Sequence, residues 1–546
     1  MRMAKEQQEY YTFSARLNKL PHGTSGTDEK RQSGTADQSA SETEWSSAAE
    51  PSMAPDLDSG ARTDDDPAAD LKWRSAAELW AAALDLASGL EGAPDYDNAA
   101  DLIFKAAMQG HPRAEQLSEL LTGREAGQLK DPKVIAAWLS RGAEEGIPEA
   151  AALLGHMYVA GIGVPVDASR GTDLIWSAAA QEVPLAQSYL AEMYEYGGGT
   201  NPEDMEEAAQ WWRRAAEQND ARAMYRLGFL YDFGPDGLGD KLTAAEWYRR
   251  SAERGYAPAQ DELAWQYRRS DVYGRDDAKA AYWFRKAAEQ GWAPSQYTLG
   301  TLYEAGLGTP KDAEEATQWY RKAAEQGLAE AQYAYGYRLR HGLGAKKDDE
   351  QAAEWLRKAA DQTYAEAQFE LALMFELGDG VQQDFKEAAA LMRQSAEQNF
   401  APAQLMLGDM YGRGLGVRKN RRSAASWYRK AAQQGIAEAQ YRYGLMLANG
   451  EAVQRDPLDS DMWLRWSAES GEPELQYAFA RRLLEGKSTP LEPDEAMQWL
   501  RRAAEQGYKE AQDKLAELER PREAGEQRPP RKAQTASMPR KGRTKK

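Results

Sequence analysis

Residues 312–344 read DAEEATQWYRKAAEQGLAEAQYAYGYRLRHGLG, in which a glycine separates two helical patterns. The apolar residues of the first pattern recur every three or four residues, as they do along one side of a helix. They are Ala316, Trp319, Tyr320, Ala323 and Ala324. Gly327 is expected to end this helix, because glycine readily adopts the left-handed conformation. The second pattern ends at Gly342-Leu343-Gly344, so the stretch predicts a helical hairpin.

The same pattern recurs along the chain. An alanine marks each copy, and successive copies are 36 residues apart except for one interval of 37. The twelve marking alanines are Ala107, Ala143, Ala179, Ala216, Ala252, Ala288, Ala324, Ala360, Ala396, Ala432, Ala468 and Ala504. A fixed period of this size is typical of a solenoid of helix pairs. We therefore predict an all-α fold, an α-α superhelix of about twelve 36-residue helix-turn-helix repeats over residues 95–520.

The segments on either side of the repeats differ in composition. Residues 1–70 are rich in Ser, Thr, Gly and acidic residues, which predicts a disordered acidic tail. Residues 71–94 have apolar residues at helical spacing and are expected to form an N-terminal capping helix. Residues 521–546 are rich in Pro, Lys and Arg, which predicts a disordered basic tail.

An acidic residue recurs where each first helix should begin. A side-chain oxygen at this place can accept hydrogen bonds from the free N–H groups of the first turn. The predicted caps are Asp95, Asp131, Asp167, Asp204, Asp240, Asp276, Asp312, Asp348, Asp384, Asn420, Asp456 and Glu492. The spacing also predicts capping boxes, in which the side chain three residues later returns a bond. These pairs are Asp204/Glu207, Asp312/Glu315 and Asp384/Glu387.

Further residues are in phase with the marking alanine. A tryptophan precedes the marking alanine by five residues in nine repeats. A small residue, Gly or Ala, follows the marking alanine by twelve residues, where a larger side chain would separate neighbouring helices. The tryptophans are expected in the core, as are the tyrosines of a second row, whose hydroxyl groups should reach polar partners. These tyrosines are Tyr158, Tyr194, Tyr231, Tyr267, Tyr303 and Tyr411.

The pattern from Ala280 to Asp312, and again from Ala316 to Asp348, resembles the Sel-one-like repeat family, a relative of the tetratricopeptide repeat. The resemblance covers most of the chain. It implies a right-handed superhelix with a concave groove that serves as an adaptor or scaffold. Members described as β-lactamase-like carry paired cysteines in each repeat, and this chain departs from them because it has none.

The composition disfavours several classes of function. Without cysteine, the chain cannot form thiolate metal sites or use thiol catalysis. Its four histidines lack the spacing of metal ligands, and its Gly-rich loops lack the dinucleotide and P-loop motifs. We therefore expect no cofactor, no metal and no small-molecule substrate. The net charge of −19 limits nucleic-acid or anionic-membrane contact to the basic tail. Because the chain has no long apolar stretch, we expect a cytoplasmic protein. We also expect it to be of bacterial type.

An arginine lies three residues before the marking alanine in nine consecutive repeats. We call these residues the arginine ladder: Arg213, Arg249, Arg285, Arg321, Arg357, Arg393, Arg429, Arg465 and Arg501. An acidic residue follows four positions later in most copies, so one interpretation is an exposed ion pair within each helix. The other is a row of guanidinium groups that binds the carboxylates of an acidic partner segment.

These observations predict a non-enzymatic protein–protein interaction scaffold or adaptor. It would present a concave superhelical groove to partner proteins or peptides, with the arginine ladder as the candidate binding face. One alternative is a hydrolase-type enzyme with a site in the groove or the irregular loops. Another is nucleic-acid or membrane association through residues 521–546. Partner identity and oligomeric state stay open.

Overall fold

The computed structural model describes residues 75–88, 96–120, 131–196, 202–234, 240–269, 272–490 and 494–519. Within these ranges every regular element is an α-helix, and consecutive helices pack in pairs. The predicted all-α class and the repeated helical hairpin are thus confirmed. The predicted tails at 1–70 and 521–546 lie outside the described residues.

The chain forms two compact units, residues 1–240 and 241–546. The described helices of the first unit are α1 (Ala76–Ser88), α2 (Tyr96–Met108), α3 (Pro112–Glu119), α4 (Pro132–Glu144), α5 (Pro148–Ala160), α6 (Ala168–Ala179), α7 (Pro184–Tyr196), α8 (Pro202–Glu217) and α9 (Ala221–Phe233). Those of the second unit are α10 (Lys241–Glu253), α11 (Ala257–Arg269), α12 (Asp277–Glu289), α13 (Ala293–Ala305), α14 (Ala313–Glu325), α15 (Ala329–His341), α16 (Asp349–Asp361), α17 (Ala365–Leu377), α18 (Phe385–Glu397), α19 (Ala401–Arg413), α20 (Arg421–Gln433), α21 (Ala437–Asn449), α22 (Pro457–Glu469), α23 (Pro473–Leu484), α24 (Glu495–Glu505) and α25 (Lys509–Glu519). Even numbers are first helices of a repeat, and odd numbers from α3 onward are second helices.

Each second helix of the second unit from α11 to α23 packs more extensively against the first helix of the next repeat than against its own partner. A small residue on the second helix permits this approach. A Cβ atom added to Gly336 would lie 3.0 Å from Leu356 of the next repeat, and one added to Gly300 would lie 2.8 Å from the Tyr320 ring. The prediction that this position must be small is confirmed.

The core of each repeat is centred on the residue that follows the repeated tryptophan. In α14 this residue is Tyr320, which is 2% exposed, whereas Trp319 is only partly buried. The tryptophans that are likewise partly buried are Trp247, Trp283, Trp355, Trp427 and Trp463, while Trp138, Trp211 and Trp499 are buried. The predicted tryptophan core is therefore wrong at six of the nine positions. There the ring lies at the edge of the apolar stripe, and in α14 the Lys322 ammonium lies 4.1 Å from the Trp319 ring centre.

The predicted caps are confirmed where the side chain accepts a first-turn N–H. This is seen at Asp131, Asp167, Asp276, Asp312, Asp348, Asp384, Asn420 and Asp456. Asp240 directly precedes α10, while Asp95 and Glu492 lie outside the described residues. The cap at Asp204 is wrong, because α8 already begins at Pro202 and encloses it.

The predicted capping boxes are also wrong. The Asp312 N–H donates to the Tyr303 carbonyl at 3.0 Å, and the Asp384 N–H donates to the Phe375 carbonyl at 2.9 Å. Each cap residue thus donates its own backbone N–H to a carbonyl of the preceding second helix, nine residues earlier in the chain. This bond fixes the inter-repeat loop and leaves no donor for the glutamate side chain.

A ladder of glutamines connects neighbouring repeats, and sequence reasoning did not identify it. The buried Gln332 of α15 donates to the Ala324 carbonyl at 3.3 Å and accepts from Gln362 of the next repeat at 2.8 Å. Equivalent glutamine pairs in the second unit are Gln260/Gln290, Gln296/Gln326, Gln368/Gln398, Gln404/Gln434 and Gln476/Gln506. Except at Gln476, each buried amide therefore bonds to a carbonyl of its own repeat and to a glutamine of the next.

We expect Gln332→Met to lower the free energy of unfolding by about 1–3 kcal/mol, because the Gln362 amide and the Ala324 carbonyl lose a buried partner. Gln318→Met on the exposed side of α14 is the matched control. Urea denaturation of both variants tests this expectation. Equal stability of the two variants would show that the glutamine ladder contributes nothing measurable.

The second residue beyond each first helix of the second unit adopts a left-handed backbone, with φ of +96° at Gly327 and +63° at Thr363. A β-branched side chain is strained in this conformation. A Cβ atom at Gly327 would meet no other atom within 4 Å, so the strain at this position comes from the backbone alone. Thr363 therefore occupies a position that its own backbone disfavours.

Thr363→Gly should raise the free energy of unfolding by about 1 kcal/mol, and Gly327→Thr should lower it by a similar amount. Urea denaturation measures both changes, with the dependence of the unfolding free energy on urea concentration expected to be the same for all variants. Thr363→Ala is the control, since alanine keeps the Cβ atom. A gain from alanine as large as that from glycine would contradict the backbone explanation.

In the first unit, His156 of α5 stacks on Tyr189 of α7, with ring centres 4.7 Å apart and planes 2° apart. Burial, together with the smaller effect of the positive charge of Arg222, lowers the pKa of His156 to about 4. The folded protein therefore holds this imidazole neutral, whereas the unfolded chain protonates it near its ordinary pKa of 6.5.

The first unit should lose stability as the pH falls from 6.5 towards 4, because protonation then favours the unfolded chain. His156→Phe keeps an aromatic ring on Tyr189 and removes this titration. Hydrogen exchange of the α5 amides at pH 7 and pH 5 is the measurement. Between pH 7 and pH 5, the free energy of opening of these amides should fall more in wild type than in the variant. An equal fall in both proteins would refute the assignment.

Candidate protein-binding face

The arginine ladder occupies one equivalent position on nine first helices. Arg213 lies on α8 of the first unit, and the other eight lie on the even-numbered helices α10 to α24 of the second unit. The exposed members are Arg213, Arg321, Arg357, Arg393, Arg429 and Arg501, and the partly buried members are Arg249, Arg285 and Arg465. Equal phase on successive first helices places the eight arginines of the second unit on one face.

Tyrosine hydroxyl groups hold three of these arginines. Arg393 donates to the Tyr411 hydroxyl at 2.9 Å, and Arg213 and Arg285 donate in the same way to Tyr231 and Tyr303. Each tyrosine lies on the second helix of the same repeat, eighteen residues after its arginine. The arginine and tyrosine rows, which the sequence presented as separate features, thus form one structural feature.

The tyrosine row is less buried than predicted. Tyr303 is buried, whereas the other members that the structure describes are only partly buried. Burial raises the pKa of Tyr303, and the nearby Arg285 guanidinium partly opposes this shift. The hydroxyl therefore stays protonated and offers its oxygen lone pairs to the guanidinium group.

The predicted ion pair within one helix forms at two ladder positions among the described residues. Arg321 lies 2.7 Å from Glu325, and Arg249 lies 2.5 Å from Glu253. At the C-terminal end the partners are more distant in sequence: Arg465 pairs with Glu495 at 2.9 Å, and Arg501 pairs with Glu519 at 3.2 Å. The simple intrahelical interpretation thus explains only part of the ladder.

Arg429 differs from the three members that a tyrosine holds. Leu447 stands where Arg393 has its tyrosine, so no hydroxyl is available eighteen residues later. Within the described part of the chain, its guanidinium group has no hydrogen bond or ion pair. Arg429 is also exposed, so all its donors face solvent.

An open cleft of about 640 Å³ lies beside the ladder in the second unit. Its lining includes Arg393, Tyr411, Arg418, Lys419 and Asn420. The surrounding segment, residues 410–437, contains seven Lys or Arg residues and no acidic residue, although the whole chain has a net charge of −19. Sequence reasoning missed this local positive surface, and the absence of acids over 28 consecutive positions was the available signal.

Neither metal-ligand clusters nor membrane-spanning helices are found among the described residues. Among them, no group of three or more His, Asp or Glu side chains is placed to hold a metal ion. Nor is any helix in this part of the chain both long and apolar enough to cross a lipid bilayer. The loops at 197–199 and 234–237 are the irregular positions predicted for an alternative site, and all of them except Gly234 lie outside the described residues. What the face presents is chiefly a row of cationic hydrogen-bond donors.

The Sel1 repeat family model matches eleven segments of the chain. They are residues 80–111, 148–181, 184–220, 221–256, 257–292, 293–328, 329–364, 365–400, 401–436, 437–471 and 473–508. Most of these segments join a second helix to the first helix of the next repeat, which is the pair with the more extensive packing. No curated protein matches the chain.

Two solved structures are similar to this chain. A protective antigen of uropathogenic Escherichia coli with an SLR fold is 29% identical, over 81% of this chain and 87% of its own, with a TM-score of 0.63. A Sel1 repeat protein from Oxalobacter formigenes is 31% identical, over 60% of this chain and 93% of its own, with a TM-score of 0.46. Because the family model matches most of the chain, in phase with the periodic residues and the paired helices, the chain belongs to the Sel1 repeat family.

Proposed function

We propose that this protein is a non-enzymatic scaffold or adaptor that binds partner proteins or peptides through the first-helix face of its repeats. Sel1 repeats and related helical repeats generally act in protein interaction. The observation that carries the proposal is the arginine ladder, most of whose guanidinium groups are exposed although the molecule is acidic overall. The cytoplasmic location expected from the sequence belongs to the same proposal.

The geometry favours recognition of carboxylate groups. An arginine fork binds a carboxylate through two parallel N–H donors, and such charge-assisted bonds are stronger than neutral ones. The Tyr411 hydroxyl occupies one nitrogen of Arg393 and leaves its other donors for a partner. A row of such groups on successive helices suits an extended acidic segment.

Charge reversal at Arg321, Arg357 and Arg393 to Glu should weaken partner binding by about tenfold or more, because each reversal places a carboxylate against the partner's own. These three side chains are exposed, so the fold should be retained. Affinity capture from cell extract with the full chain, quantified for each recovered protein, is the measurement. Circular dichroism checks that the variant is folded.

The matched control reverses three exposed lysines in the inter-repeat loops, Lys311, Lys346 and Lys347. It changes the net charge by the same amount but leaves the first-helix face intact. Partners should be lost from the arginine variant and retained by the lysine variant. Recovery of the same proteins in undiminished yield from both would overturn the proposed face.

A further inference from the structure

Helix α22 carries an exposed apolar row that the fold does not require. Leu458, Met462 and Trp466 are 78%, 46% and 45% exposed and lie at intervals of four residues. This spacing places them on one side of the helix over about two turns. The equivalent residues of α14 are Glu314, Gln318 and Lys322, and those of α16 are Glu350, Glu354 and Lys358. Other repeats thus place polar side chains here without loss of the architecture.

Helix α20 presents a basic row at the same positions. Its equivalents of the three apolar residues are Arg422, Ser426 and Lys430, with the ladder member Arg429 beside them. All four are exposed. Lys430 lies over the Trp427 ring at 4.0 Å, and no acidic side chain forms an ion pair with Arg422, Arg429 or Lys430 in the described residues. The described residues therefore leave their positive charge without a paired acidic group.

The two rows lie on neighbouring helices. Trp463 of α22 packs against a buried alanine cluster formed by Ala431 and Ala432 of α20 with Ala439 of α21, and its ring lies 5.0 Å from the Trp466 ring in an edge-to-face contact. Trp466 contacts this packed ring and is itself 45% exposed. The carboxylate of Asp461 accepts the Thr489 N–H from the loop before α24, so this acidic group of α22 is engaged on the side of the following repeat.

We propose that the surface formed by Arg422, Arg429, Lys430, Leu458, Met462 and Trp466, called the α20–α22 surface, binds an acidic protein segment that also carries large apolar side chains. The apolar side chains of this segment cover the α22 row, and its carboxylates bind the α20 row. This inference rests on the proposed scaffold function and specifies the chemistry of one partner. The length of the apolar row, about 12 Å, matches two turns of a partner helix.

Two other classes of partner fit less well. A nucleic acid has no group that makes use of the aliphatic Leu458 and Met462, and the net charge of −19 repels an extended polyanion. An anionic membrane would also meet the same positions of α14 and α16, where Glu314, Glu350 and Glu354 are exposed. A short segment with acidic and apolar side chains can contact α20 and α22 without reaching the exposed glutamates of α14 and α16.

The test uses the full chain and labelled synthetic peptides of about sixteen residues, long enough for a few helical turns. The probe has Leu or Trp at intervals of four and Glu at most other positions. Its two controls are the same composition in scrambled order and the same pattern with Lys replacing Glu. Fluorescence anisotropy should show binding of the acidic amphipathic probe that is at least tenfold tighter than binding of either control.

Two sets of substitutions locate the contact. Met462→Ser with Trp466→Ser removes the apolar row, and Arg422→Glu with Lys430→Glu reverses the basic row. Each set should weaken probe binding by about tenfold, whereas the matched changes Gln318→Ser with Lys322→Glu on α14 should not. Because all these residues are exposed, thermal unfolding should be unchanged within each set.

The inference is overturned if the probe does not bind, or if the α20–α22 variants bind it as well as wild type. It is also overturned if Trp466-dependent binding is found for phosphatidylglycerol vesicles or single-stranded oligonucleotides instead of the acidic probe. Charge reversal at Arg321, Arg357 and Arg393 separates this inference from the general function. Loss of captured partners in that variant, with no probe binding to wild type, would retain the scaffold and reject the α20–α22 surface.

Discussion

The second unit depends on one constraint: a repeat cannot bury its own second helix and must use the first helix of the next repeat. The small residue at Gly336 and the large buried residue at Leu356 meet at this contact. Their side chains are matched in size, because a Cβ atom at Gly336 would already lie 3.0 Å from Leu356. The period of 36 residues, the loop lengths and the repeated caps all preserve this contact.

Polar bonds at the edges of this contact set the position of one repeat on the next. The pair Gln332 and Gln362 joins neighbouring repeats at one end, while the Asp348 N–H binds the Leu339 carbonyl at the other. Hydrophobic burial supplies attraction without direction, whereas these bonds have defined lengths and angles. The glutamine ladder is interrupted where Ser470 replaces the second glutamine, so Gln440 bonds only to its own repeat, at the Ala432 carbonyl.

Local patterns predicted the helices well, because each signal acts within one or two turns. Apolar spacing, Asp312 as a cap and Gly327 as a helix end all describe neighbours along the chain. The same patterns could not distinguish Trp319 from Tyr320, since both fall within an apolar stripe that is more than one residue wide. The glutamine pairs and the Arg393–Tyr411 bond join residues that are 30 and 18 positions apart, and only the packed structure brings them together. The candidate face was predicted as a row of residues, but its partners within the protein were not.

The tyrosine anchors also affect how freely the arginines move. A long side chain loses rotamer entropy when a partner fixes it, at a cost of about 0.5–1.5 kcal/mol for each residue. Arg393 has already lost part of this freedom through Tyr411, so a ligand orders it at lower cost. Arg429 has no such anchor and keeps its rotamers until something binds. The arginine ladder therefore combines preorganised arginines, which bind a ligand group best in one geometry, with adaptable arginines, which can bind ligand groups in several geometries.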